Sequence, residues 1–321
     1  MFAITGITGQ VGGGVARTLL DARKSVRAVI RDSAKGEMWA QQGCEVALAR
    51  MEDPDALQRA FSGAEAVFVL LPPNFDPSPG FIETRQIVAA LHSSLEKARP
   101  GRIVCISTIG AQATEENLLS QLGILEQGLS DLALPITFLR PGWYMENAVW
   151  DLKPARDTGV IQSFLQPPDR AIPMVATSDV GRVAAELLQQ QWHGHRVVEL
   201  EGPRRVSPND IAASFARLLN RSVRATIVPR NTWEALFRSQ GMKNPTPRIR
   251  MLDGFNEGWI AFERETRNGH VELDTVLRTL TDRARESSHS NCSRGWFAFS
   301  AGAVGFNAGL IELYRKRQPT I

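Results

Sequence analysis

The sequence predicts a doubly wound α/β fold, a parallel sheet with helices on both faces and a smaller C-terminal α/β lobe. Three observations carry this. Short apolar runs alternate with helix-period segments from the first residues onward. The runs are unbroken rather than alternating, as parallel strands buried on both faces require. A glycine-rich turn joins the first run to the first helical pattern, "FAITGITGQVGGGVARTLL" at 2–20.

The elements follow in order. Val11, Val15 and Leu19 give the first helix its apolar stripe, and "VRAVI" (26–30) is the second strand, ending at Arg31. "CEVALA" (44–49) is a third strand, and "DPDALQRAF" (53–61) a helix with Asp53 as cap. "AEAVFVLL" (64–71) is a fourth strand stopped by Pro72 and Pro73, followed by a long helix over 79–96. "RIVCIST" (102–108) and "PITFLR" (135–140) are the fifth and sixth strands, separated by a helix over 115–130. Beyond them, 179–192 and 207–219 are helical, and "RVVELEG" and "VRATIVP" are further short strands. Residues 1–150 form the nucleotide-binding core, 151–283 complete the sheet and build the lobe, and 284–321 are an extension.

The glycine spacing has a chemical reason. Gly6, Gly9 and Gly12 form Gly-x-x-Gly-x-x-Gly after a strand and before a helix. Such a turn brings backbone N–H groups to a diphosphate at a helix N-terminus, and Thr8, Gln10 and Val11 flank it. This is the start of a Rossmann arrangement. Arg31 stands where NAD-binding sites commonly carry an acid, with Lys35 a turn later. A guanidinium there grips a 2′-phosphate, so NADP(H) is favoured over NAD(H) although Asp32 is adjacent. Ordinary solvated charges are the alternative reading of Arg31 and Lys35.

The ligand crevice of such a sheet lies beyond the carboxyl ends of its strands. That rim holds Leu71 and Pro72, Ser107, Thr108 and Gly110, and the aromatic run after the sixth strand with Trp143, Tyr144 and Asn147. Ser107 and Thr108 either serve the site or merely finish a strand. Trp233, Phe237, Met242, Met251, Phe255 and Trp259 line a cavity or form a small core, and core is preferred for most.

Composition narrows the partners. The chain has 321 residues, 43% hydrophobic and 22% charged, with net charge +3, too balanced for a nucleic-acid surface. Cys44, Cys105 and Cys292 have no metal-ligand spacing, and His193 and His195 lack a third ligand, so no metal is expected. The opening residues show no basic stretch followed by an apolar one, and a cytoplasmic location is expected.

Taken in order, "GITGQVGGGV", "RDSAK", "ISTIGA", "FLRPGWYMENAVW" and "PMVATSDVGRVAAELL" resemble the NmrA-like branch of the atypical short-chain dehydrogenases over about 1–280. The resemblance implies an extended NADP(H) site. Gly6, Thr8, Gly9, Gln10, Val11, Gly12, Arg31 and Lys35 hold the cofactor, Thr108 and Gly110 lie near its nicotinamide end, and Tyr144 and Asn147 border the substrate. It also implies a small quinone-like or flat aromatic substrate, or alternatively a non-catalytic regulator that senses the nucleotide. Both monomers and homodimers are compatible with it.

The departure is in the helix after "ISTIGA". Residues 111–130 contain no Tyr, Lys, His or Arg, where the family resemblance implies an acid–base group, and Leu122 stands where relatives often show histidine. Glu126 is expected to orient backbone rather than to act as an acid. Tyr144 is a candidate proton donor, substrate hydrogen-bonder or aromatic wall, and Ser107 a candidate for orienting a carbonyl. At the C-terminus, "ARESSHSNCSRG" reads as a linker. The apolar run 296–313 is marginal as a membrane span and gives no clear membrane partner.

Overall fold

The computed structural model describes residues 1–290, with side chains through 286. The first half is a regular alternation. Strand β1 (Phe2–Ile4) leads into α1 (Gln10–Asp21), and β2 (Val26–Ile30) into the short α2 (Glu37–Gln41). Then come β3 (Glu45–Leu48), α3 (Pro54–Phe61), β4 (Ala66–Val69), α4 (Ile82–Ala98), β5 (Ile103–Ile106), α5 (Ser120–Gly128) and β6 (Ile136–Pro141). Asp53 caps α3, its carboxylate accepting the Ala56 N–H at 2.9 Å.

The second half mixes sheet completion with the lobe. It runs β7 (Trp143–Tyr144), α6 (Val149–Asp157), β8 (Val160–Ser163), β9 (Met174–Val175), α7 (Thr177–Gln189) and β10 (His195–Glu201). It continues through α8 (Pro208–Leu219), β11 (Arg224–Ile227), α9 (Trp233–Ser239), α10 (Thr246–Glu257), β12 (Arg267–Asn268) and α11 (Leu273–Ser290).

Eight strands form one sheet in the order β12-β10-β6-β5-β4-β1-β2-β3, every described pairing parallel. The order reverses at β1, so the crevice opens between the ends of β1 and β4. Helices α1 and α7 cover one face through Val11, Val15, Leu19, Val180 and Leu187. They approach closely because two glycines meet: a Cβ on Gly181 would lie 3.1 Å from the Gly14 Cα. Helices α3, α4 and α5 cover the other face with Leu57, Phe61, Leu91, Leu95 and Leu125. A separate core fills the lobe, with Trp233, Phe237, Met251 and Phe255 all buried in it.

Three details differ from the sequence reading. Helix α5 begins at Ser120 rather than 115. Asn117, fully buried, diverts the preceding chain into turns: its side chain accepts the Leu119 N–H at 2.8 Å, while Leu118 N–H reaches the Pro247 carbonyl. The strand at 224–227 does not join the main sheet but pairs in parallel with β8. The segment beginning at 284 opens as the last part of α11, which runs to Ser290. Cys292 and the apolar run 296–313 lie outside the described residues. Among the described residues no helix is long and apolar enough to cross a membrane, and no cluster of metal-ligating side chains occurs.

Candidate functional site

The glycine turn between β1 and α1 is built by backbone contact. Gly6 has φ +63°, a conformation that glycine tolerates best, and the Gly9 N–H closes the turn onto the Gly6 carbonyl at 2.9 Å. A Cβ on Gly12 would stand 2.3 Å from that same carbonyl oxygen. Gly9 opens α1 with no side-chain cap, and the first turn carries no acid. A helix start left this way carries partial positive charge and is suited to a diphosphate. Val11 is in the core, so only its backbone faces the turn. Thr8 is exposed at the tip.

Thr5 sets the neighbouring rim. Its hydroxyl donates to the Phe68 carbonyl at 3.1 Å and accepts the Leu70 N–H at 2.9 Å, fixing the start of the Leu70–Pro73 segment beside the glycines. Leu71 is half-buried and Pro72 exposed. After β2, Arg31 and Lys35 are both exposed, and among the described residues none pairs with their charged ends. Asp32, also exposed, is engaged locally instead, its carboxylate accepting the Ala34 N–H at 3.1 Å to start a short 3-10 turn. The residues fit NADP(H): an uncapped helix start for the diphosphate and two free cations for a 2′-phosphate.

Gln10 is not free. The Thr177 hydroxyl lies 2.9 Å from its Oε1 and 2.6 Å from Glu146 Oε1, while Thr177 N–H donates to both Glu146 oxygens. This cluster ties α1, the turn before α6 and the start of α7 together under the rim. Burial raises the Glu146 carboxyl above its ordinary value, even against the Thr177 bonds that favour its charged form.

At the end of β5, the buried Ser107 hydroxyl donates to Glu126 Oε1. Glu126 also receives a two-pronged grip from Arg140, at 2.9 and 2.7 Å, and Arg140 further reaches Gln112 and Glu263. Glu126 thus orients Ser107 and Arg140, and the Ser107 hydroxyl is committed to it. Burial alone would lower the Arg140 guanidinium, but its bonds to Glu126 outweigh that and hold it firmly charged. Thr108 is half-buried, and Gly110 (φ +75°) lets the chain turn against Ile260.

The rim after β6 is aromatic. Trp143 meets Phe255 edge to face, with centroids 5.2 Å apart and planes at 84°. Tyr144 is half-buried against the sheet core. Burial, and then the Glu146 charge, raise its phenol above the ordinary value, so it is a hydrogen-bond donor rather than a ready acid. Asn147 is buried. Together with Trp143 it borders a cavity of about 90 Å³ that runs into the lobe between α6, β8, α8 and α10. Trp150, Asp151, Gln162, Ser163 and Arg248 add to its polar lining.

Sequence reasoning brought forward the glycine turn and the three strand ends. It missed Thr177, Glu146, Gln121, Trp150, Asp151 and Arg248. Gln121, buried in α5, donates to the Asn74 carbonyl at 3.0 Å and accepts from Thr84 at 3.0 Å, locking the segment after β4 onto α5. The one available signal was Thr177 opening a helix in "VATSDVG"; the others meet only through tertiary packing.

Comparison with known proteins agrees with this architecture. The chain is 25% identical over 286 residues to the NAD(P)H azoreductase of Xenophilus azovorans, covering 89% of this chain and 94% of that one. It is 27% identical over 244 residues to quinone oxidoreductase 2 of Escherichia coli, covering 75% and 82%. Among solved structures, the Citrobacter sp. triphenylmethane reductase complexed with NADP(H) superimposes with a TM-score of 0.72 at 20% identity, covering 87% of this chain and 99% of that one. The model of the NmrA-like family matches residues 1–248, and the chain belongs to that family.

Proposed function

We propose that this chain is an NADPH-dependent oxidoreductase that passes a hydride to a quinone-like or other flat aromatic acceptor. The observation that carries the reading is a juxtaposition. An uncapped helix start and two unpaired cations suit NADP(H), and the same strand-end rim leads through Trp143 into an aromatic-walled cavity. The azoreductase, quinone oxidoreductase and triphenylmethane reductase that the chain resembles support it, since each is named for reducing an azo, quinone or aryl compound.

In this reading Gly6, Gly9, Gln10, Val11 and Gly12 hold the diphosphate by backbone and helix start, with Thr8 at the tip. Arg31 and Lys35 take the 2′-phosphate, and Leu71, Pro72, Thr108 and Gly110 flank the path to the nicotinamide. NADPH supplies the hydride when bound. Trp143, Tyr144 and Asn147 face the acceptor, and Ser107 acts by holding the Glu126–Arg140 network in register. A non-catalytic nucleotide sensor is the second reading, favoured by α5, where Gln121 and Leu122 stand in place of an acid–base pair.

The test is NADPH consumption by the purified protein with and without a panel of quinones and triarylmethane dyes. Acceptor-dependent consumption is expected. Arg31→Ala should weaken NADPH binding about tenfold while leaving NADH nearly unaffected, the worth of one charge-assisted contact. Tight NADPH binding with no consumption across the panel would favour the sensor.

A further inference from the structure

We propose that Asp151, with the Trp150 indole beside it, delivers the proton that accompanies hydride transfer, replacing the acid that α5 lacks. The inference rests on the oxidoreductase reading above. Both residues lie in the first turn of α6, directly after the Trp143–Asn147 rim, and both line the cavity that this rim borders. The Trp150 N–H is buried with no acceptor. Among the described residues no hydrogen bond or ion pair reaches the Asp151 carboxyl. Two neighbouring polar groups without partners in one cavity are costly to a fold unless something else satisfies them.

Burial pushes the Asp151 carboxyl up to about 7, so near neutrality a large share of it is the neutral acid. In that form Asp151 offers an O–H to the cavity that it and Trp150 line, and the Trp150 N–H on the same helical turn is a second donor without a partner. A quinone carbonyl oxygen can accept the Asp151 O–H, and so can an azo nitrogen. Arg248, also on the cavity wall, is lowered by burial only to about 10 and keeps its positive charge, which favours electron density arriving on that atom. The cavity, about 90 Å³, has room for the edge of one ring or for several waters.

The step balances. The acceptor gains two electrons and a hydrogen as hydride supplied by NADPH, which is oxidised to NADP⁺. The Asp151 O–H bond breaks as its proton goes to the acceptor oxygen or nitrogen, and the carboxylate regains a proton from water.

Other charged groups near α6 are engaged elsewhere. Glu146 is spent on Thr177, with the Arg283 charge acting on it. Asp210 is held by Ser207 and Arg204, and Asp274 by Ser214 and Arg217. On α6 itself, Lys153 and Arg156 pair with Asp157. Arg248 is the charged side chain that shares the cavity with Asp151.

The test compares wild type, Asp151→Asn, Asp151→Glu and Trp150→Phe in NADPH-dependent quinone reduction across pH. NADPH fluorescence titration checks each variant for an intact cofactor site. The wild-type kcat/KM is expected to fall as pH rises through about 7, the range in which the acid form is lost. Asp151→Asn should lose at least about tenfold in kcat/KM and the pH dependence with it, with NADPH affinity unchanged. Asp151→Glu should recover a titrating limb, and Trp150→Phe should raise the quinone KM a few-fold with the limb intact. Independently of turnover, the infrared C=O band of a protonated carboxyl should titrate near 7 in wild type and vanish in Asp151→Asn. If wild type turns over and Asp151→Asn matches it at every pH, this proposal is overturned and the oxidoreductase reading stands. If wild type consumes no NADPH with any acceptor, both fall.

Discussion

The proposed cofactor half and the proposed substrate half of the crevice are built from different materials. The first is backbone: a left-handed Gly6, a Gly12 with no room for a Cβ, and an α1 start with no side-chain cap. The second is side chain: Trp143 against Phe255, Asn147, and the polar wall of Trp150, Asp151 and Arg248, brought together from α6 and α10. A backbone-built site recognises what all its ligands share, here a diphosphate. A side-chain-built site can be rewritten one residue at a time without disturbing the sheet. Substitutions should therefore be all-or-none in the first half and graded in the second.

The largest effect is expected at the turn. Gly12→Ala places a methyl 2.3 Å from the Gly6 oxygen, and neither neighbour is a flexible side chain that can swing aside. The loop must open, with a loss of about 4 kcal/mol or more of stability and of measurable NADPH binding. Thermal unfolding followed by circular dichroism, with NADPH fluorescence on the same sample, checks both. A variant that kept wild-type Tm and affinity would show that the turn tolerates a wider geometry, and would erase the contrast between the halves.

An intermediate effect is expected where the halves are joined. Asp179 in α7 is 2% exposed and accepts the His270 and Val271 N–H groups, each at 2.9 Å, as well as Arg182 at 3.0 Å. It thereby fastens the chain entering α11 to the helix that packs on α1. Asp179→Ala strands two backbone donors, while Arg182 keeps its bond to Glu186, a cost of about 3 kcal/mol. For a chain this size the Tm should fall by roughly 4–5 °C. NADPH affinity at a temperature where the variant is folded should stay near wild type, since Asp179 touches neither the turn nor Arg31.

The same contrast explains what was legible in the sequence. The glycine turn, the α1 stripe and the six apolar strands are set by spacing within a few residues, and spacing is what a sequence displays. Helix α5 starts late because buried Asn117 forms its own turn and the neighbouring Leu118 N–H is claimed by Pro247, a residue from the lobe. The strand at 224–227 reads correctly as a strand, but its partner β8 was not visible as one, so its place outside the main sheet was not legible. Arg31 is recognisable from its position after β2, whereas the local bond that Asp32 makes to the Ala34 N–H is seen only in the fold. Asp151 carries no motif at all; it becomes conspicuous only when Arg248 and Trp143 are found around the same cavity.

The smallest effect is the most diagnostic of the side-chain-built half. Folding raises the Asp151 carboxyl from an ordinary aspartate value to about 7, because burial disfavours its charged form. Below the unfolded value both states are protonated and burial carries no penalty. As pH rises through the interval up to about 7 the unfolded chain ionises first, so stability is progressively lost, and above it the full penalty persists. Asp151→Asn removes the titration while keeping the shape. It should therefore raise Tm by a few degrees at pH 8 to 9 and by almost nothing at about pH 4, a difference that grows with pH. Unfolding scans of both proteins across that range read it directly. A uniform shift at every pH would assign the effect to packing, and no shift at alkaline pH would mean that water reaches the carboxyl freely. The cavity wall would then be as solvated as the exposed Arg31 and Lys35 on the cofactor side, and the difference between the two halves would lie in shape alone.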